Sequence, residues 1–127
     1  MTKKIITTNK APQAIGSYSQ AVQAGDFLFA SGQIPLDPQT GEMVNENFRA
    51  EATQVFENVK GIADEAALSL EDIVKLTVYI TDLADFATLN EVMGEYFEEP
   101  YPARAAVQVA ALPKGARVEV DATFYTK

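Results

Sequence analysis

Ile73-Val74-Lys75-Leu76-Thr77-Val78-Tyr79-Ile80-Thr81, residues 73–81, has the two-residue period of a β-strand. Val74, Leu76, Val78 and Ile80 fall on one face, and Lys75, Thr77 and Tyr79 on the other. The two faces differ in kind, so this strand has a core on one side and a different environment on the other.

Helical patterns flank it. Upstream, Phe48, Ala52, Val55, Val59, Ile62 and Ala66 recur at steps of three and four, which predicts an amphipathic helix over residues 48 to 67. Gln54, Glu57, Lys60 and Asp64 form its solvated side, and Asn45 or Asn47 is placed to cap its first turn. Downstream, Phe86, Leu89, Val92, Met93, Tyr96 and Phe97 line a second helix over 86 to 97, which Pro100 stops. Asn90 sits at the flank of that stripe.

Four further strands and a short one complete the pattern. Phe27–Ser31 follows a Gly25-Asp26 turn and is read as a hairpin with a partner over Tyr18–Gln23. A short strand is expected at Lys4–Thr7. Ala103–Val109 places Arg104, Ala106 and Gln108 on one side and Ala103, Ala105, Val107 and Val109 on the other. Val118–Tyr125 sets Val118, Val120, Ala122 and Phe124 against Glu119, Asp121, Thr123 and Tyr125. About six strands with two helices give an α+β fold in which the helices cover one sheet face. The other face is expected to carry Thr77, Tyr79, Arg104, Gln108, Glu119 and Thr123. Such a mixture of polar, small and aromatic residues suits a subunit interface or ligand cleft, so the expectation is a homo-oligomer closing on that face.

Composition narrows the chemistry. The 127 residues fit one domain, 1–127. Ten basic against 18 acidic residues leave a net charge of −8, which opposes binding to nucleic acid or anionic lipid. The absence of cysteine excludes disulfides and thiolate chemistry, and the absence of histidine removes the commonest general base and any serine–histidine triad. No segment reaches the ~20 apolar residues of a spanning helix, and residues 1–8 show no signal-length apolar run. A soluble cytoplasmic protein is the expectation.

Arg104 is the first candidate for function. Its guanidinium stays protonated, so it requires an anionic partner when buried. Two readings stand: an ion pair with Glu119 or Asp121, or a carboxylate ligand. Glu119 is read as a general base or water-positioning group, or else as the partner of Arg104 or Arg117. Tyr18 follows Ile15-Gly16-Ser17, a turn that aims its phenol at a cleft or simply packs it at a strand start. Ser31-Gly32-Gln33-Ile34-Pro35 ends a strand with a glycine where backbone N–H groups can approach a ligand. Asn90 is either a surface amide or a cleft residue at the sheet edge.

Ala11-Pro12 through Ala14-Ile15-Gly16-Ser17-Tyr18-Ser19-Gln20, Ser31-Gly32-Gln33-Ile34-Pro35, Asn90-Glu91-Val92, and Pro102-Ala103-Arg104 through Leu112-Pro113-Lys114 to Val118-Glu119-Val120 resemble the reactive intermediate deaminase A (RidA/YjgF) family in order and spacing. The resemblance covers nearly the whole chain. It implies a chorismate-mutase-like fold, with a roughly six-stranded mixed sheet and two helices on one face. It also implies a homotrimer with intersubunit clefts and a last strand inserted within the sheet instead of hairpinned to its predecessor. It implies hydrolysis of 2-iminobutanoate and 2-iminopropanoate, products of pyridoxal-phosphate dehydratases, to 2-oxo acids and ammonia, without metal or organic cofactor. In that frame Arg104 holds the substrate carboxylate, Glu119 attends the hydrolytic water, and Tyr18, Ser31, Gly32 and Asn90 line the cleft. The chain departs from many relatives at Ala105, Ala106, Gln108 and Ala111, where those read serine, cysteine, glutamate and arginine. A second reading is therefore kept, a non-catalytic trimer that binds 2-oxo acids. A third, translation inhibition or RNA cleavage as ascribed to some relatives, is opposed by the net charge of −8 and the lack of histidine.

Overall fold

The computed structural model describes residues 2–127. Six strands form one mixed sheet, β1 (Lys3–Ile6), β2 (Ala21–Ala24), β3 (Phe27–Gln33), β4 (Ile73–Ile80), β5 (Ala103–Gln108) and β6 (Val118–Tyr125), in the order β1-β2-β3-β6-β4-β5. The helices are α1 (Phe48–Glu65) and α2 (Phe86–Tyr96). The last strand is inserted between β3 and β4, antiparallel to both, while β5 runs parallel to β4 at the sheet edge. The Pro113–Gly115 turn therefore leads β6 past β4 and does not form a hairpin with β5.

Helix α1 forms where its apolar spacing predicts. Asn47 caps it, its side-chain oxygen accepting from the Ala50 N–H at 2.8 Å. Phe48, Ala52, Val55, Phe56, Val59 and Ile62 are buried against Leu28, Leu76, Val78, Ile80, Val118, Val120 and Phe124 of the sheet and Leu89 and Val92 of α2. Two polar residues are buried in this layer and are satisfied there. Asn58 donates through Nδ2 to the Ile34 and Leu36 carbonyls at 3.2 and 2.9 Å, holding the loop after β3. Glu51, 1% exposed, accepts from the Arg117 N–H at 2.9 Å and pairs with its Nε, tying the start of α1 to the start of β6.

Three expectations need correction. Tyr18 lies outside the hairpin: β2 begins at Ala21, and Gln20 just before it spends its side chain on Thr8, Ala11 and Pro12, outside the ladder. Val74 is 41% exposed and not on the core face, because a bulge between Ile73 and Lys75 shifts β4 by one residue and leaves Ile73 buried instead. Arg104 and Gln108 are not on the bare face. Arg104 stands opposite Leu76 and Gln108 opposite Ile80, on the side the helices cover, whereas Ala105 and Val107 stand opposite Thr77 and Tyr79. The cause is β5 itself: apolar small residues occupy both of its faces, so alternation does not say which one meets the core.

The bare face holds Thr77, Tyr79, Glu119, Asp121 and Thr123 in register across β4 and β6. It continues across β3 as Phe27 and Phe29, 42% and 49% exposed, beside Tyr125.

Candidate functional site

The sequence-predicted residues fall into two clusters. The first surrounds Glu119. The register of β3 against β6 breaks between Ala30 and Gln33, and within this irregularity Gly32 comes against Glu119 of β6 while Ser31 bonds to the segment before β2. A Cβ on Gly32 would overlap Glu119 Oε2 and stand 3.0 Å from its Cδ. The carboxylate occupies the space a side chain at 32 would take, so glycine is what lets Glu119 lie there. Ser31 donates its N–H to the Gln20 carbonyl at 2.9 Å and its hydroxyl to the Ser19 carbonyl at 2.6 Å, pinning the loop that carries Tyr18. The Tyr18 phenol, on a residue 49% exposed, accepts from the Ile15 N–H at 3.3 Å.

Burial, aided by the neighbouring charge of Asp121, raises the Glu119 carboxyl above its ordinary range. Asp121 accepts from the Tyr79 phenol at 3.0 Å, and that bond, with burial, raises the Tyr79 pKa as well. A carboxylate with increased proton affinity, next to a half-open surface, holds a proton more readily than an ordinary glutamate and is suited to take one and return it. Neither Arg104 nor Arg117 is its partner: Arg117 is engaged by Glu51.

The second cluster surrounds Arg104. Among the described residues no carboxylate lies within ion-pair distance of it, which removes the pairing with Glu119 or Asp121. Its Nη1 donates to Asn90 Oδ1 at 2.6 Å and contacts Met93 Sδ at 3.4 Å, and Cζ lies 5.3 Å from the centre of the Phe86 ring. Phe86 and Met93 were not among the residues the motifs pointed to. Their spacing with Asn90, at i, i+4 and i+7, was the signal that all three share one helix face. The guanidinium borders a pocket of about 310 Å³ whose wall includes Asn90, Met93, Phe97, Tyr101 and Pro102. A larger groove, about 540 Å³, runs behind α2, but Glu71, Glu95, Glu98 and Glu99 line it and would repel a carboxylate. Gln108 belongs to neither cluster; its side-chain oxygen accepts from the Leu83 N–H at 2.8 Å and holds the turn before α2.

Within one chain the clusters do not meet. Arg104 and Glu119 lie on opposite faces of the sheet, with β4 between their strands and a register offset of three residues, from Leu76 to Tyr79. Strand spacing and rise put their Cα atoms roughly 14 Å apart.

Comparison with known proteins gives this arrangement a context. Residues 8–125 match the model of the family described as Endoribonuclease L-PSP. A protein of Dermatophagoides farinae named 2-iminobutanoate/2-iminopropanoate deaminase is 47% identical over 119 residues, covering 94% of this chain and 93% of its own. The crystal structure of RidA from the Antarctic bacterium Psychrobacter sp. PAMC 21119 is 56% identical and superposes with a TM-score of 0.93, covering 96% of this chain and 98% of that one. That of E. coli TdcF with bound serine is 50% identical, with a TM-score of 0.93, covering 98% of this chain and 99% of that one. Matches of this extent, joined to the inserted last strand and to the motif residues gathered around Glu119 and Arg104, make the chain a member of the Endoribonuclease L-PSP family, the RidA/YjgF proteins.

Proposed function

We propose that this protein is a cytoplasmic, cofactor-independent deaminase that hydrolyses 2-imino acids such as 2-iminobutanoate and 2-iminopropanoate to 2-oxo acids and ammonia. The observation that carries the reading is Arg104: a permanent cation with no carboxylate partner among the described residues, held by neutral groups beside a pocket of about 310 Å³. A planar guanidinium fork matches the carboxylate of a 2-imino acid.

The chemistry asks little beyond placement. The protonated imine carbon, C2, is already electrophilic. With the carboxylate on Arg104, a water beside Glu119 adds its oxygen to C2 as Glu119 takes the water's proton. The C=N bond becomes a C–N single bond in the resulting amino alcohol. Transfer of that proton from Glu119 to the nitrogen makes it an ammonium leaving group; the C–OH then collapses to C=O as the C–N bond breaks, the Glu119 carboxylate takes the hydroxyl proton and passes it to the departing ammonia, and ammonium and the 2-oxo acid are released. The raised proton affinity of Glu119 supports both halves of this transfer. The deaminase name of the Dermatophagoides relative supports the substrate class.

Arg104 of one copy and Glu119 of another would complete the site, because the two are on opposite faces of a single sheet. The homotrimer expected from the resemblance supplies such clefts, and the bare face, with Phe27, Phe29 and Tyr125 exposed, offers an apolar surface for self-association. Light scattering should return three times the 13.8 kDa chain mass. A persistent monomer at micromolar concentration would rule this assembly out.

The decisive assay adds purified protein to a threonine dehydratase reaction and follows imine loss. Acceleration that disappears in Arg104→Ala supports the reading, and undiminished turnover in that variant refutes it. The bound serine of E. coli TdcF favours a second reading, a carboxylate-binding protein without catalysis. It predicts Arg104-dependent 2-oxobutanoate binding with no faster imine loss. RNA cleavage is disfavoured by the net charge of −8 and by the carboxylates of Glu119 and Asp121 on the bare face.

A further inference from the structure

We infer that Phe86 is a positioning residue for the carboxylate site, a ring platform that fixes the plane of the Arg104 guanidinium and so decides which edge of it meets the ligand. The inference rests on Arg104 as the carboxylate anchor. Three successive turns of α2 contribute: Phe86 lies under the guanidinium at 5.3 Å, Asn90 accepts from Nη1 at 2.6 Å, and Met93 Sδ lies 3.4 Å from the same nitrogen. Phe86 fixes the plane, and the other two fix the rotation within it.

The consequence follows from the donor inventory. Nη1 has two N–H groups, and Asn90 and Met93 receive both. The edge left over is formed by Nε–H and Nη2–H, two parallel donors that fit both oxygens of one carboxylate. A free arginine side chain samples many rotamers, and ordering them upon binding weakens affinity; a side chain already seated on a ring and an amide avoids that cost. Phe86 therefore acts on affinity through Arg104 and does not touch the reacting atoms. The attraction is electrostatic, between a cation and the negative face of the ring, so it depends on the ring's electrons as well as on its shape.

That dependence makes the platform testable in the full-length assembled protein. Phe86 is replaced site-specifically by mono-, di- and trifluorinated phenylalanine, which keep the ring's shape while draining its face. Binding of 2-oxobutanoate is measured by calorimetry, and imine turnover by the coupled dehydratase assay. Kd and KM should climb stepwise with fluorination, reaching about 5-fold, with kcat unchanged. Phe86→Tyr should retain wild-type affinity and Phe86→Leu should lose it. A Kd that stays flat across the fluorinated series, while Arg104→Ala still abolishes binding, overturns the platform and leaves the anchor intact. Equal 2-oxobutanoate binding by wild type and Arg104→Ala overturns both.

Discussion

Gly32→Ala adds a single methyl group, and its effect can be worked out from the Glu119 cluster. No unusual backbone angle forbids alanine at 32, and the residue is exposed, so the local fold should accept the change. The new Cβ, however, would overlap Glu119 Oε2 and stand 3.0 Å from Cδ. Restoring ordinary contact displaces the carboxylate by about 1 Å, and a misplacement of that size at a reacting group costs about 10²-fold in rate. In the dehydratase-coupled assay kcat should fall about 100-fold. KM should stay near wild type because Arg104 belongs to the other cluster. Urea denaturation should show a loss of about 1 kcal/mol or less, since the carboxylate has solvent to swing into. A kcat within threefold of wild type would mean that Glu119 is not held against Gly32 for catalysis, and the water-positioning role would have to be abandoned.

Glu119→Gln should abolish turnover yet raise stability at neutral pH. The folded carboxyl binds its proton more tightly than the unfolded one, so stability declines as pH rises from the unfolded value of 4.5 through the folded one. The amide removes that decline; thermal melts should therefore show a gain at pH 7 that vanishes below pH 4.5. Arg104→Lys should behave like Arg104→Ala in turnover, because an ammonium has no parallel pair of donors, with melting unchanged in both. Glu51→Ala should cost about 3 kcal/mol in urea denaturation, the lower end for breaking a buried pair, because Arg117 is 41% exposed and can turn to water. Gly61→Ala tests packing against helix propensity. Alanine should favour α1 by about 1 kcal/mol, but its Cβ would stand 2.7 Å from the Lys10 carbonyl carbon and 2.9 Å from Lys10 Cβ. Overpacking of this kind costs about 1–3 kcal/mol, so the melting temperature should drop; a rise would show that the 8–13 loop yields freely.

Much of the architecture was legible in the residues because it rests on local periodicity. The three-and-four spacing from Phe48 to Ile62 and the alternation from Val118 to Phe124 each determine which side chains meet a core, wherever the rest of the chain goes. The motif around Ser31-Gly32 and the pair Arg104 and Asn90 were likewise visible as residues. What they touch was not. The short turn after Leu112 by itself invites a hairpin; the insertion of β6 between β3 and β4, which the family resemblance implies and the structure has, is made by hydrogen-bond register between strands distant in sequence. A bulge at Val74 reversed the exposure of one residue in an otherwise regular alternation.

The largest difference concerns Arg104. The sequence by itself determined that a permanent cation stands in a strand of small residues and that burial there would demand an anion; the residue is in fact exposed. Only the tertiary structure decided that the cation lies on the helix side of the edge strand, against Phe86, Asn90 and Met93, and that Glu119 lies on the other side. The reason is that alternation defines two faces but not which is inward when both are apolar and small, as in Ala103-Arg104-Ala105-Ala106-Val107. That choice is made by the neighbours: Leu76, Val78 and Ile80 of β4 face the helices, and the parallel register carries Arg104, Ala106 and Gln108 to the same side.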